Sequence, residues 1–201
     1  MRALIVYAHP RGGSFNEAIR DIILHRLQGY GVETRLRDLY AEAFNPVMDK
    51  FQLENYDDHS QNKAGLEEYV EDLVWCDMLI FVYPTWWYGL PAILKGWIDR
   101  VFLPGIAFHM PSGKEKNISP GLKHITRLAI FTTCGASWWL TQFVGSPGKR
   151  TILRGVGLLC ARHCKTVYLA HYLMDSSTEE SRSAHLKKVA RKLDSLVKRW
   201  S

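Results

Sequence analysis

Little in this 201-residue chain would staple it covalently or carry it into a membrane. Four cysteines, Cys76, Cys134, Cys160 and Cys164, are scattered with no C-x-x-C pair, which excludes a disulfide scaffold and predicts reduced thiols. Cys160, His163 and Cys164 fall close together, but a fourth ligand at tetrahedral-site spacing is missing, so no metal is expected. The apolar run near the amino end, Ala3 to Ala8, has six residues. That is too short for a signal h-region or a membrane span, and a cytoplasmic location is the expectation. No tract is low in complexity, no unit repeats, and no linker is visible. Two nucleotide signatures are absent as well. The first loop is not G-x-G-x-x-G, and Gly145 and Gly148 are separated by two residues where a Walker loop needs four.

Hydrophobic residues make up 47% of the chain and charged residues 23%, the balance of a packed globule. The length suits one domain, residues 1–201, able to hide roughly 70% of its unfolded surface. The net charge of +6 is concentrated, because Arg182, Lys187, Lys188, Arg191, Lys192, Lys198 and Arg199 lie in the last twenty residues. Between them Leu186, Val189, Ala190, Leu193, Leu196, Val197 and Trp200 recur at three- and four-residue steps. This pattern predicts a helix that buries one stripe and leaves its basic face in solvent. Basic residues do not converge from several elements, so nucleic-acid binding is not expected.

Ala3 to Ala8 reads as a buried strand, followed by a polar loop and a helix with Phe15, Ile19, Ile22, Ile23 and Leu27 on one face. Val32 to Leu39 alternates like an edge strand. Residues 40–62 form a long excursion, and a helix is predicted over Lys63 to Trp75. Met78 to Tyr83 and Leu128 to Phe131 are further buried strands. A helix over Lys149 to Leu159, a strand over Thr166 to Leu173 and the basic helix complete the order. Strands alternating with helices, the inner ones apolar on both faces, predict a doubly wound α/β fold with helices on both faces of a parallel sheet. Five strands without a repeated half favour the flavodoxin-like order 2-1-3-4-5.

In such sheets ligands bind beyond the carboxyl ends of the strands, where strand order reverses. That predicts one site from three turns: His9 to Asn16, Pro84 to Gly89, and Thr132 to Ala136. In the first, Ser14 and Asn16 are candidate caps, and free amides at a helix start favour an anion. In the second, Trp86, Trp87 and Tyr88 are consecutive and cannot all point inward on a turn; one at least must face a cleft or a partner. Flat aromatics there suit a flat apolar ligand such as an isoalloxazine or a quinone. The third supplies hydroxyls and loop amides, with Gly135 permitting close approach.

Several motifs occur in one order along nearly the whole chain. They are Tyr7-Ala-His-Pro10, Ser14-Phe-Asn16, Asp38-Leu-Tyr40, Pro91 to Trp97 with Asp99-Arg-Val101, and Gly105-x-Ala-Phe108. Together they resemble the NAD(P)H:quinone oxidoreductases of the flavodoxin-like fold. The resemblance implies a cytoplasmic homodimeric flavoprotein that takes a hydride from NAD(P)H and passes two electrons to a quinone by ping-pong kinetics. It implies that His9, Ser14, Phe15 and Asn16 hold the flavin's phosphate-bearing chain. Pro84, Thr85, Trp86, Trp87 and Tyr88 would line the isoalloxazine edge, and Thr132, Thr133, Cys134 and Gly135 its pyrimidine side. Trp87, Tyr88, Phe108 and His109 would shape the place shared by nicotinamide and quinone. Glu179 and Arg182 match the segment that holds the adenine half in FAD-binding members, so FAD is expected, with FMN as the alternative. The family's charge-stabilising Tyr and His fall here on Leu140 and near Ser146; Lys149 or Arg150 could offset charge instead, and His109 could deliver a proton. Two other readings remain: a flavin-binding regulatory subunit of a potassium-efflux system, and an FMN-dependent azo or nitro reductase.

Overall fold

The computed structural model describes residues 1–111 and 116–198. Arg199 and Trp200, assigned above to the last helix, lie outside the described residues. Five strands form one parallel sheet: β1 (Arg2–Tyr7), β2 (Glu33–Asp38), β3 (Met78–Thr85), β6 (Arg127–Cys134) and β7 (Lys165–His171). Their order is β2-β1-β3-β6-β7, which is 2-1-3-4-5 when only sheet strands are counted. Two short strands, β4 (Phe108–His109) and β5 (Ser119–Pro120), pair separately and antiparallel.

The apolar runs of the inner strands are continuous because alternate residues feed two cores. Ala3, Ile5 and Tyr7 of β1, with Ile80 and Val82 of β3, face the layer made by α1 (Phe15–Gly29) and α7 (Glu179–Val197), where Ile19, Ile23, Leu27, Val189 and Leu193 close the packing. Leu4, Val6, Leu79 and Phe81 face the other way, onto α3 (Glu67–Trp75) and α4 (Ala92–Val101) with Leu73, Leu94 and Trp97. β2 is one edge strand and β7 the other. Arg35 and Arg37 of β2 both donate to the buried carboxylate of Asp72 on α3, and their guanidinium groups cover the rings of Trp75 and Tyr69.

The long excursion holds one short helix, α2 (Lys50–Glu54), and docks on α4. Gln52 donates to the carbonyl of Arg100 at 3.0 Å and accepts from its Nε at 2.6 Å. Pro46 lies so close to α4 that a Cβ on Gly96 would meet its carbonyl oxygen at 2.2 Å. Glycine is required there by contact, not by backbone angle.

Several predicted boundaries move. The helix expected from Lys63 begins at Glu67, because Gly65 adopts φ of 74° and breaks the earlier turn. Pro91 is the N-cap residue of α4, just outside the helix. The helix expected over Lys149 to Leu159 is composite: α6 (Pro147–Arg150), a π turn over Thr151–Val156 and a 3-10 turn over Gly157–Leu159. A short helix, α5 (Trp138–Phe143), precedes it. β7 ends at His171, before Leu173, whose φ is 55°. Thr132, Thr133 and Cys134, assigned above to a turn, belong to β6, paired with Tyr83, Pro84 and Thr85 of β3.

Candidate active site

A cavity of about 670 Å³ opens at the carboxyl ends of the central strands, lined by His9, Pro84, Thr85, Trp86, Trp87, Thr133, Gly135, Met174 and Asp175. All three predicted turns reach it. His9 also lines a second cavity of about 340 Å³ beside the start of α1, with Arg11, Gly12, Glu17 and Arg20. It therefore stands between the two.

The first turn is a reciprocal cap. Ser14 Oγ accepts from the amide of Glu17 at 3.1 Å, and the Glu17 carboxylate accepts in return from the amide of Gly13. That bond, with Arg20 beside it, holds the Glu17 carboxyl below its usual range. The anion-favouring start of α1 thus already carries one carboxylate. Asn16 is buried and donates from Nδ2 to Thr133 Oγ1 at 2.8 Å, joining the first turn to β6, while its Oδ1 is buried without a partner. Phe15 turns away from the loop to pack on His171 and His185, with ring centroids at 5.2 and 5.9 Å. Both imidazoles are buried and their Nε2 atoms have no partner. Burial lowers both, His185 to about 4.

In the second turn the amide of Gly89 donates to the carbonyl of Trp86 at 2.9 Å, and Trp87 and Tyr88 between them have φ of 48° and 60°. Two successive left-handed residues match a type I′ turn, a geometry that favours glycine and asparagine. Bulky residues in it cost about 1–3 kcal/mol each. The turn throws Trp87 outward, 94% exposed, and both Trp86 and Trp87 line the cavity, whereas Tyr88, predicted to line it too, is half-buried and does not. None of the three is a core residue.

The β pleat divides the third group. Thr133 and Gly135 line the cavity. Thr132 is fully buried and donates to the carbonyl of Tyr83 at 2.6 Å, with the Thr85 hydroxyl against it at 2.9 Å. Cys134 is buried beside Thr141. These two support the floor and do not face a ligand from the cavity wall.

Other predicted residues lie apart. Phe108 and His109 sit in the β4 ribbon and do not line the cavity. Glu179 begins α7, where Thr178 caps the amide of Ser181 at 3.2 Å, and Arg182 is tied to the carbonyl and hydroxyl of Ser177 at 2.9 and 3.0 Å. Ser146, near the position where the family's His was expected, is buried and donates to the carbonyl of Thr141; Leu140 is half exposed. Lys149 covers the ring of Tyr168 and Arg150 lies against Gly145, so neither lines the cavity. Met174 and Asp175 were missed. They sit in the turn between β7 and α7, a fourth carboxyl-end turn that the same topological rule covers. A Cβ on Gly135 would meet Asp175 Oδ2 at 3.0 Å, so this turn closes down on the glycine.

A planar group with polar edges suits this lining. The Thr133 hydroxyl and the backbone at Gly135 supply polar contacts, and Trp86 and Trp87 supply aromatic ones; Asn16, with its unpartnered Oδ1, is buried behind Thr133 and is not in the lining. Among the described residues no three metal-ligating side chains come together.

The family model for the flavodoxin-like fold matches residues 1–197. A rat ribosyldihydronicotinamide dehydrogenase [quinone] is 31% identical over 158 residues, 70% of this chain and 67% of its own length. The chain belongs to the flavodoxin-like family of NAD(P)H:quinone oxidoreductases. An uncharacterized NAD(P)H oxidoreductase of Haemophilus influenzae is 36% identical over 142 residues, 68% of this chain and 66% of its own length. The matched segments thus span about two thirds of these curated relatives. Among solved structures, a putative quinone reductase from Klebsiella pneumoniae superposes with a TM-score of 0.82 at 25% identity, covering 98% of this chain and 85% of that one.

Proposed function

We propose that this member of the family is a flavin-dependent NAD(P)H:quinone oxidoreductase that carries FAD and works as a cytoplasmic homodimer. The observation that carries the reading is the cavity at the ends of β1, β3 and β6, with aromatics in its wall and an unpartnered buried oxygen on Asn16 behind Thr133. A bound flavin supplies the chemistry: hydride acceptance from NAD(P)H and two-electron delivery to a quinone. The protein's part is positioning. The amides of Phe15 and Asn16 at the start of α1 bind phosphate; Thr85, Thr133 and Gly135 hold the ring edge; Trp86, Trp87 and Tyr88 form the wall on which nicotinamide and quinone lie in turn. Phe108 and His109 are assigned to the substrate side.

Purified protein is expected to be yellow, to bleach with anaerobic NAD(P)H and to recover colour on adding a quinone. Colourless protein that neither FAD nor FMN reconstitutes overturns the proposal. The bond from Arg182 to Ser177 gives FMN a specific footing as the alternative, since that side chain is already engaged. Chromatography of the acid-released cofactor separates the two, and FMN with preference for azo dyes would make the protein an azoreductase.

A further inference from the structure

The cavity at the strand ends carries a carboxylate and no cation to match it. Of the described residues that line it, Asp175 is the only acid, and no lysine or arginine is among them. The carboxylate is held over Gly135, where a Cβ would meet Oδ2 at 3.0 Å. Its turn is fixed by the backbone. The amide of Leu173 donates to the carbonyl of Ala136 at 3.3 Å, that of Ser176 to Leu173 at 3.2 Å, and that of Ser177 to Met174 at 3.1 Å. The cations nearby are spent elsewhere. Arg182 donates to the carbonyl and hydroxyl of Ser177, and Lys149 covers the ring of Tyr168. In the neighbouring cavity Arg20 pairs with Glu17 at 3.0 Å and with Asp21 at 2.7 Å.

Two features of the lining act on a ligand's charge in the same direction. Trp86 and Trp87 offer ring faces, whose quadrupole attracts cations. The carboxylate adds a full negative charge. A cavity of about 670 Å³ is on the order of 10 Å across, so a ring inside it lies within about one Debye length of Asp175 at moderate salt. Aromatic walls recognise quaternary ammonium ligands on the same principle, and here an anion would meet repulsion with no arginine or lysine in the lining to offset it.

We propose that the cavity selects planar, delocalised cations as electron acceptors, and that Asp175 sets the preference. The proposal rests on the flavin-reductase reading of the site. A cation of the iminium or pyridinium type gains a hydride, which is two electrons with one proton, and leaves uncharged. NAD(P)H supplies that hydride and leaves as NAD(P)+, so no further oxidant or proton is required. The reaction removes the charge that held the acceptor, which favours release of the product. A neutral quinone takes the same hydride and a proton from solvent without this electrostatic gain, and an anionic acceptor enters against the field.

The test uses the full-length protein loaded with flavin at about pH 8, above the ordinary imidazole range, because His9 shares the lining. Methylene blue serves as the cation, menadione as the neutral quinone and a naphthoquinone sulfonate as the anion. Asp175→Asn should lower kcat/KM for methylene blue and raise it for the sulfonate by about fivefold each, and added salt should shrink both changes. Asp175→Lys should move both further in the same directions, whereas misfolding lowers all three acceptors together. Calorimetry with the oxidised protein should show methylene blue losing affinity by a similar factor, without turnover. An unchanged ratio of methylene blue to sulfonate, or equal loss for all three acceptors with unchanged dye affinity, overturns the proposal. A wild type that reduces none of the three defeats the flavin reading instead, and the calorimetric comparison of the two charged compounds still decides the charge preference.

Discussion

Two side chains near the start of α1 have consequences a titration can read. Glu17 places its carboxylate on the amide of Gly13, beside the amides proposed to bind phosphate. Its negative charge opposes that phosphate, so Glu17→Gln should tighten flavin binding by about two- to fivefold. Fluorescence quenching with FAD and with FMN checks this, and weaker binding would show that the cap matters more than the charge. His185 carries the opposite kind of consequence, for stability. Burial lowers it from 6.5 to about 4, with His171 and Lys188 adding to the effect, and Arg182 and Lys188 also face His171. Between those values the unfolded chain binds a proton that the folded one refuses. Stability therefore falls as pH drops from about 6.5 to 4, by at most about 3 kcal/mol for this group. His185→Phe, packed on Phe15, should flatten that fall in urea unfolding measured from pH 7 to 4.5. An unchanged pH slope would mean that the folded imidazole takes up its proton normally.

At the level of elements, the turn from β3 to α4 trades stability for presentation. Trp87 and Tyr88 hold left-handed backbone that glycine adopts freely. Tyr88→Gly should raise the melting temperature, by the equivalent of about 1 kcal/mol, while quinone reduction falls several-fold; thermal scans and steady-state kinetics report the two separately. The turn itself was legible in the sequence, because three consecutive aromatics could not all be core. The strands were legible too, since Ala3 to Ala8, Met78 to Tyr83 and Leu128 to Phe131 are apolar on both faces. Their ends were not. Thr132 and Thr85 look like loop residues by polarity, yet their hydroxyls bond each other and the ladder runs past them. Polarity ended the apolar run without ending the strand. Asp175 was hidden for a different reason: only the fold of the β7–α7 turn brings it over Gly135, and no spacing in the chain encodes that contact.

For the whole molecule, the unexplained feature is its exposed apolar surface. On α5, Trp139 and Phe143 are 77% and 90% exposed, Trp138 is partly so, and Trp87 projects from the neighbouring turn. That turn is tied to α6 through the amide of Gly148, which donates to the carbonyl of Tyr88. Large aromatics left open in this number mark a surface that something covers. The proposed homodimer would cover this surface and would account for one further fact: Phe108 and His109, assigned to the substrate side, do not line the cavity of their own chain. The partner can bring its own pair to the rim, as an isologous dimer permits. Light scattering should then give twice the chain mass for wild type and a monomer for Trp139→Glu combined with Phe143→Glu. The monomer should keep its flavin, because Asn16, Thr133 and Gly135 come from one chain, and should lose at least about tenfold in quinone turnover. A wild type that is monomeric at working concentration, or a monomeric variant with full turnover, would place Phe108 and His109 outside the substrate site.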